Sequence, residues 1–262
     1  MKSANCRVTS EPHVQHPNRA RHIRTVLFGA TRRPCGLVAV ARHRRRLGEA
    51  DWSSAQLLPA ARAKPEALVY VYAARAGRWK GIFAHHSWIV IKERNGARYT
   101  RFDKVAWGRP VKIDGWAPDA RWYGHRPVRI GAVEGAAAEA LIPKVRAAVA
   151  RYPHNDFGSY RVWPGPNSNS FITHILSAIP EAGIALPPTA IGKDFRLEAD
   201  LVALTPSRTG LQLSLAGLAG ITVAWVEGVE INVLGLVLGL DLRRPAIKLP
   251  GLGRIGVGMV VS

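Results

Sequence analysis

The stretch Trp163-Pro164-Gly165-Pro166-Asn167-Ser168-Asn169-Ser170-Phe171 restricts the fold of this chain more than any other. Two prolines fix φ, the glycine between them frees it, and four small polar residues then lead into the apolar run Ile172 to Ile179. That order describes a turn opening into a helix N-terminus. Asn and Ser side chains there accept hydrogen bonds from the first free backbone N–H groups. The same N–H groups, with the helix dipole, can hold an anion or a developing oxyanion. Local chemistry therefore supports both a capped helix and a catalytic turn.

The chain before this turn reads as a sheet followed by a helix. Ala67 to Ala73 and His86 to Lys92 are rich in β-branched and aromatic residues, and Asn95-Gly96 favours a tight hairpin leading into a returning strand over Arg98 to Trp107. Val111 to Ile113 and Pro127 to Val133 add two more strands. Helical spacing takes over at Ala136 and lasts to Tyr152-Pro153, with Pro143 expected in the first turn of a continuing helix. Leu186 to Phe195 is expected to form a structured loop. The fold class is thus α+β, an antiparallel sheet packed with helices.

The last sixty residues differ in character. Leu211 to Leu215 and Val229 to Val233 alternate strictly, as half-buried strands do, with glycines at the bends. Thr209 to Val226 holds no charge, yet Gln212, its glycines and its period of two argue against a spanning helix. A Gly-rich, β-type extension lying on the core or on a membrane surface is expected. The expected organisation is a basic disordered tail over 1–50, an α+β core over 51–200 and a Gly/Leu-rich C-terminal extension over 201–262.

The formal charge of +19 is unevenly spread: residues 1–50 carry eleven Lys or Arg against Glu11 and Glu49. Such an arm binds anionic surfaces nonspecifically. Cys6 and Cys35 both lie in it, which argues against a disulfide framework, a cysteine zinc site or a cysteine nucleophile in the folded part. The apolar run Val26 to Ala30 is too short for a secretory signal, making the cytoplasm the default location and membrane association the alternative. No HExxH, GxSxG, phosphate loop or dinucleotide fingerprint occurs, and neither a cofactor nor a metal is expected.

Ser168 is the candidate nucleophile, and it needs a base from elsewhere in the chain. His85 and His86 open the second strand on opposite faces, so only one of them can reach the turn. His86 is the candidate base, and Asp103, on the returning strand, is the group to orient it. Asn167, Asn169, Ser170 and Trp163 complete the candidate site as oxyanion-binding or capping groups.

His86 to Lys92, Trp163 to Phe171, Pro187-Pro188-Thr189-Ala190-Ile191-Gly192-Lys193-Asp194 and Lys248 to Gly256 resemble the bacterial domain-of-unknown-function family 3750, a resemblance spanning about residues 65–256 and excluding the chain before Asp51. It implies no activity. More distantly, a strand that begins with His86 and a later Asn167-Ser168-Asn169-Ser170-Phe171 resemble the circularly permuted papain-like proteins, such as the lecithin retinol acyltransferase group, with serine where those proteins have cysteine. That resemblance implies a permuted papain-like core acting as an amide or ester hydrolase, or an acyltransferase, on a small-molecule, lipid or peptide substrate. Serine at a thiol's position is a weaker nucleophile. The competing expectation is a noncatalytic envelope-associated or binding protein whose polar turn is structural. A third is nucleic-acid binding through the basic arm.

Overall fold

The computed structural model describes residues 50–196 and 200–257. All the described residues belong to one compact unit, Arg45–Ser262. The basic arm and both cysteines lie outside the described residues.

The core is a five-stranded antiparallel sheet of β1 (Leu68–Arg75), β2 (His85–Lys92), β3 (Thr100–Lys104), β4 (Val111–Ile113) and β5 (Val128–Glu134), in the spatial order β4-β3-β2-β1-β5. Two helices follow, α1 (Gly135–Ala150) and α2 (Ser168–Ala178). These elements make the core α+β, as the alternation and helical spacing imply. Asn95-Gly96 does not form a two-residue hairpin. It lies in the longer connection 93–99, where Asn95 takes a left-handed φ of 54° and donates its backbone N–H to the Pro65 carbonyl at 2.7 Å. Pro143 sits in the interior of α1 rather than in its first turn.

Both faces of the sheet are covered, and alternation sorts the side chains between them. Val69, Val71, Ile89, Ile91 and Phe102 pack against Leu141, Ile142 and Val145 of α1 and Phe171, Ile172 and Ile175 of α2. The intervening residues Leu68, Tyr70, Tyr72, Trp88 and Val90 pack on the other face with Trp122, and partly buried Trp52, Trp116 and Tyr123 join them. The segment before β1 therefore helps to cover a face of the core, through Trp52, Leu57 and Leu58. Cross-strand partners agree with this sorting: Ser87 pairs with Ala73 and His85 with Arg75 on the helix side, while His86 pairs with Ala74 on the aromatic side.

The C-terminal residues form a second sheet, an antiparallel meander of β6 (Val202–Leu204), β7 (Gly210–Leu215), β8 (Ala219–Ala224), β9 (Gly228–Val233), β10 (Leu236–Asp241), β11 (Ala246–Leu249) and β12 (Gly253–Gly256). Its strands occupy neighbouring positions in chain order. One inner ladder runs through Gln212, Thr222, Glu230, Gly239, Lys248 and Arg254. Apart from partly exposed Arg254, its side chains are buried. The outer ladders are aliphatic, for example Val202, Leu213, Ile221, Ile231 and Leu238 side by side across five strands. All five are exposed. This sheet buries its polar face and presents its apolar one.

Candidate functional site

The turn before α2 is built as a cap. Asn167, in extended conformation, is the N-cap; its Oδ1 accepts the backbone N–H groups of Asn169 at 2.9 Å and Ser170 at 3.1 Å, and Ser170 Oγ accepts the Asn167 N–H at 2.8 Å. This reciprocal pair is a capping box, with Asn and Ser in the two roles. Asn167 Nδ2 donates to the carbonyls of Val162 and Ile191, both at 3.1 Å. Asn169 Nδ2 donates to the carbonyls of His85 at 3.0 Å and Ile191 at 2.8 Å. The two carboxamides thus hold α2 against the start of β2 and against the loop 187–195, which straps the helix N-terminus.

Glycine is required twice in this packing. A Cβ on Gly192, whose φ is +89°, would stand 2.1 Å from Asn167 Nδ2, and one on Gly165, at φ +146°, would stand 2.7 Å from the Phe195 ring. The bonds preceding Pro164 and Pro166 are both cis. Trp163 packs at the β9–β10 turn, its indole N–H donating to the Leu234 carbonyl at 2.9 Å.

Ser168 is the first residue of α2 and is buried. Its hydroxyl and backbone N–H both lie at the Tyr160 phenol; burial pushes that phenol up, and the two contacts at Ser168 oppose the shift. The N–H groups that would receive an oxyanion at this helix end are therefore engaged from within, by Tyr160 at Ser168 and by Asn167 at Asn169 and Ser170.

His86 and Asp103 meet on the aromatic face of the sheet, the face away from α2. His86 Nε2 lies 2.8 Å from Asp103 Oδ1. Arg101 chelates the same carboxylate, Nε to Oδ2 at 2.6 Å and Nη2 to Oδ1 at 2.8 Å, and its guanidinium lies 4.0 Å from the centre of the Trp88 ring. The imidazole stacks on Trp122 with ring centres 3.6 Å apart and 3° between planes. Burial pushes His86 below the ordinary histidine range against the opposing pull of Asp103. Burial also disfavours the Asp103 carboxylate, yet Arg101 and His86 hold its carboxyl below the usual range.

The sheet brings His86 together with Asp103 and places Ser168 on its other side. Among the described residues no hydrogen bond joins Ser168 to His86. His85 is the imidazole on the helix face. Burial is the main cause that lowers it to about 4, with Arg75 and His125 acting in the same direction. Among the described residues no cluster of His, Cys, Asp and Glu could hold a metal ion.

Beyond the turn, the strap and the C-terminal sheet form a buried polar network. Lys193 bonds to both Asp194 and Glu230, and Lys248 reaches Glu230 from the other side at 2.5 Å. Asp194 also accepts from Gln212 Nε2 at 2.7 Å and from Asn232 Nδ2 at 2.9 Å. Thr173 of α2 donates its hydroxyl to the Lys193 carbonyl at 3.0 Å. The signals for this network are Lys193-Asp194 within the loop motif and the polar members of the alternating strands; their partners are separated by up to about sixty residues and carry no shared spacing.

No curated protein and no solved structure matches the chain at a significant level. The permuted papain-like architecture accordingly rests on the two short motifs alone. A family model does match, and its span ends at Phe195, where the strap meets the second sheet. Residues 66–195 match the model of the family described as Protein of unknown function (DUF3750).

Proposed function

We propose that this chain is a peripheral lipid-surface-binding protein, in which the α+β core and the capped turn are scaffold and the outer face of the C-terminal sheet makes the contact. The observation that carries this reading is the composition of that face. Three ladders of cross-strand neighbours compose it. The first is the row from Val202 to Leu238 described above. The second runs through Leu204, Leu211, Val223, Val229, Leu240, Ile247 and Ile255, and the third through Leu215, Ala219, Val233 and Leu236. No member carries a charge or a hydrogen-bonding side chain. Strands of three to six residues, at a rise of about 3.3 Å per residue and about 4.8 Å between strands, cover on the order of 550 Å², at the upper end of the ~300–600 Å² of the largest apolar patch on a typical monomer, a size that is often functional.

The rim favours an anionic bilayer over a second copy of the chain. Arg208, Arg243 and Arg244 are exposed in the turns at one end of the strands, and exposed Trp225 stands beside them in the β8–β9 turn. Half-exposed Trp163 stands at the β9–β10 turn and exposed Phe83 at the β11–β12 turn. Arginine and tryptophan around an aliphatic surface suit the charged and interfacial layers of a bilayer. In a face-to-face pair the arginine-bearing turns would add like charge at one rim. Among the described residues no helix is long and apolar enough to cross a membrane.

Flotation with vesicles tests the reading. The full chain should float with phosphatidylglycerol-containing vesicles, more weakly with phosphatidylcholine alone, and the pair Ile231→Glu and Leu238→Glu should abolish flotation. A chain that stays unbound in both mixtures, or that instead dissociates from dimer to monomer on these substitutions, overturns it.

A further inference from the structure

A candidate second site lies between the two sheets, on the side of the C-terminal sheet away from its outer face. A cavity of about 280 Å³ is walled on the core side by Ile130, Ile184 and Leu186 and on the side of the C-terminal sheet by Val226. His85 and Thr189 also line it; both are buried, and the Thr189 hydroxyl has no hydrogen-bond partner among the described residues. Arg243 and Arg244, exposed in the β10–β11 turn, line it as well and mark its mouth.

The charges at this cavity are unequally satisfied. Asp241, the acid on its wall, accepts from Arg254 Nε at 2.8 Å and from the backbone N–H of Arg244 at 2.9 Å. Lys248, also on the wall, is taken up by Glu230 and by the Glu227 carbonyl. The guanidinium groups of Arg243 and Arg244 have no carboxylate partner among the described residues. A hollow with aliphatic residues on both walls and two unpaired guanidinium groups at its opening suits a molecule with one anionic end and an aliphatic body. Its volume is at the small end of ligand pockets, which run from about 300 to 1,000 Å³, and this limits the body to a short chain.

We propose that this cavity binds a short-chain anionic amphiphile, its head group held by Arg243 and Arg244 and its aliphatic body enclosed by Ile130, Ile184, Leu186 and Val226. A fatty carboxylate and an alkyl phosphate share this chemistry. Arg243 and Arg244 also border the outer face, but the aliphatic walls of the cavity lie off that face, so Ile231→Glu separates octanoate binding from vesicle binding.

Calorimetric titration of the full chain with octanoate and with octyl phosphate, both below their micellar concentrations, tests the proposal. Saturable one-site binding is expected, and tighter binding of either probe supports the site and identifies its head group. The double variant Arg243→Gln/Arg244→Gln should bind about tenfold more weakly or worse, as expected for lost charge-assisted hydrogen bonds. Its melting temperature should be unchanged, both residues being exposed and unpaired. 1-Octanol should bind as weakly to the native chain as octanoate does to the double variant, and Ile231→Glu should leave octanoate binding intact. Absence of saturable binding, equal affinity for octanol and octanoate, or an unaffected double variant would overturn the assignment.

Discussion

Asn232 Nδ2, on the inner face of the C-terminal sheet, donates to Asp194 Oδ2 on the strap at 2.9 Å, and both residues are buried. The same carboxylate serves Gln212 and Lys193, and the same strap receives the carboxamides of Asn167 and Asn169 at Ile191. The residues 187–195 therefore clamp the helix turn on one side and the second sheet on the other. The polar side chains of the turn that resembles a catalytic one in sequence thus take part in joining the helix to the strap.

Asp194→Ala should loosen that joint. It leaves Lys193 with Glu230, Gln212 with Thr222 and Asn232 with the Gly217 carbonyl, each of the three losing its bond to the carboxylate. Removing one member of a buried ion-pair network costs about 3–5 kcal/mol. Urea unfolding should show a loss of that order, and limited proteolysis should cut first in the C-terminal strands. A variant as stable as the native chain would mean that the network contributes nothing to holding the sheets together.

The core was legible in sequence where period and burial agree. Ala67 to Ala73 and His86 to Lys92 announce strands because their residue types suit a pleated buried surface, and Asn167 to Ser170 announce a cap by composition. The C-terminal strands were legible as strands but not in orientation. Gln212, Thr222, Glu230 and Lys248 alternate with aliphatics, and the usual rule turns the aliphatics inward. The polar members face inward instead because Lys193 and Asp194, distant in the chain, supply their partners. The candidate trio of Ser168, His86 and Asp103 divided for a related reason. Alternation says that His85 and His86 face opposite ways, but which of them faces α2 depends on where the helices pack. Arg101 carries a signal in hindsight, standing two residues before Asp103 and so on its face of the strand.

A fluorophosphonate probe should leave the native chain unlabelled. Ser168 is buried against Tyr160, and His86 is occupied by Asp103 on the other side of the sheet. Labelling that disappears in Ser168→Ala would establish a reactive serine and require a base other than His86. His86→Ala should instead act on stability, because it empties the space against Trp122 and withdraws a partner from a buried carboxylate that Arg101 continues to hold. A loss of about 2–4 kcal/mol is expected from the cavity and the lost hydrogen bond together.

Acid should destabilise the chain through His85. Its folded pKa, about 4, lies below its ordinary value of 6.5. Between those values the unfolded chain binds the proton that the folded one refuses, so stability falls as pH falls from 6.5 towards 4 and the contribution is constant below that. The full effect is on the order of 3 kcal/mol. His86, also lowered, acts in the same direction, whereas Asp103 and Glu230, with depressed carboxyl values, add their losses in the more acidic range below. Urea midpoints measured across the window should drop with pH, and His85→Gln should flatten the slope. An unchanged slope in that variant would remove His85 as the cause.

Asn167 and Ser168 should separate cleanly on mutation, although they are neighbours in one motif. Asn167→Ala removes the acceptor for two helix N–H groups and the donor for two loop carbonyls, with Gly192 already pressed against the lost carboxamide. Loss of an N-cap alone costs about 1 kcal/mol, up to about 2; the Val162 carbonyl loses this donor and the Ile191 carbonyl keeps only Asn169, which adds to it. A total of roughly 2–4 kcal/mol is expected, with the loss spreading to the strap and to vesicle binding by the sheet it holds. Ser168→Ala withdraws one hydroxyl from Tyr160 and leaves the capping box whole, so about 1 kcal/mol or less is expected. Chemical denaturation of the two variants side by side measures the difference. If Ser168→Ala proves the costlier change, the turn is organised around the serine rather than around the cap.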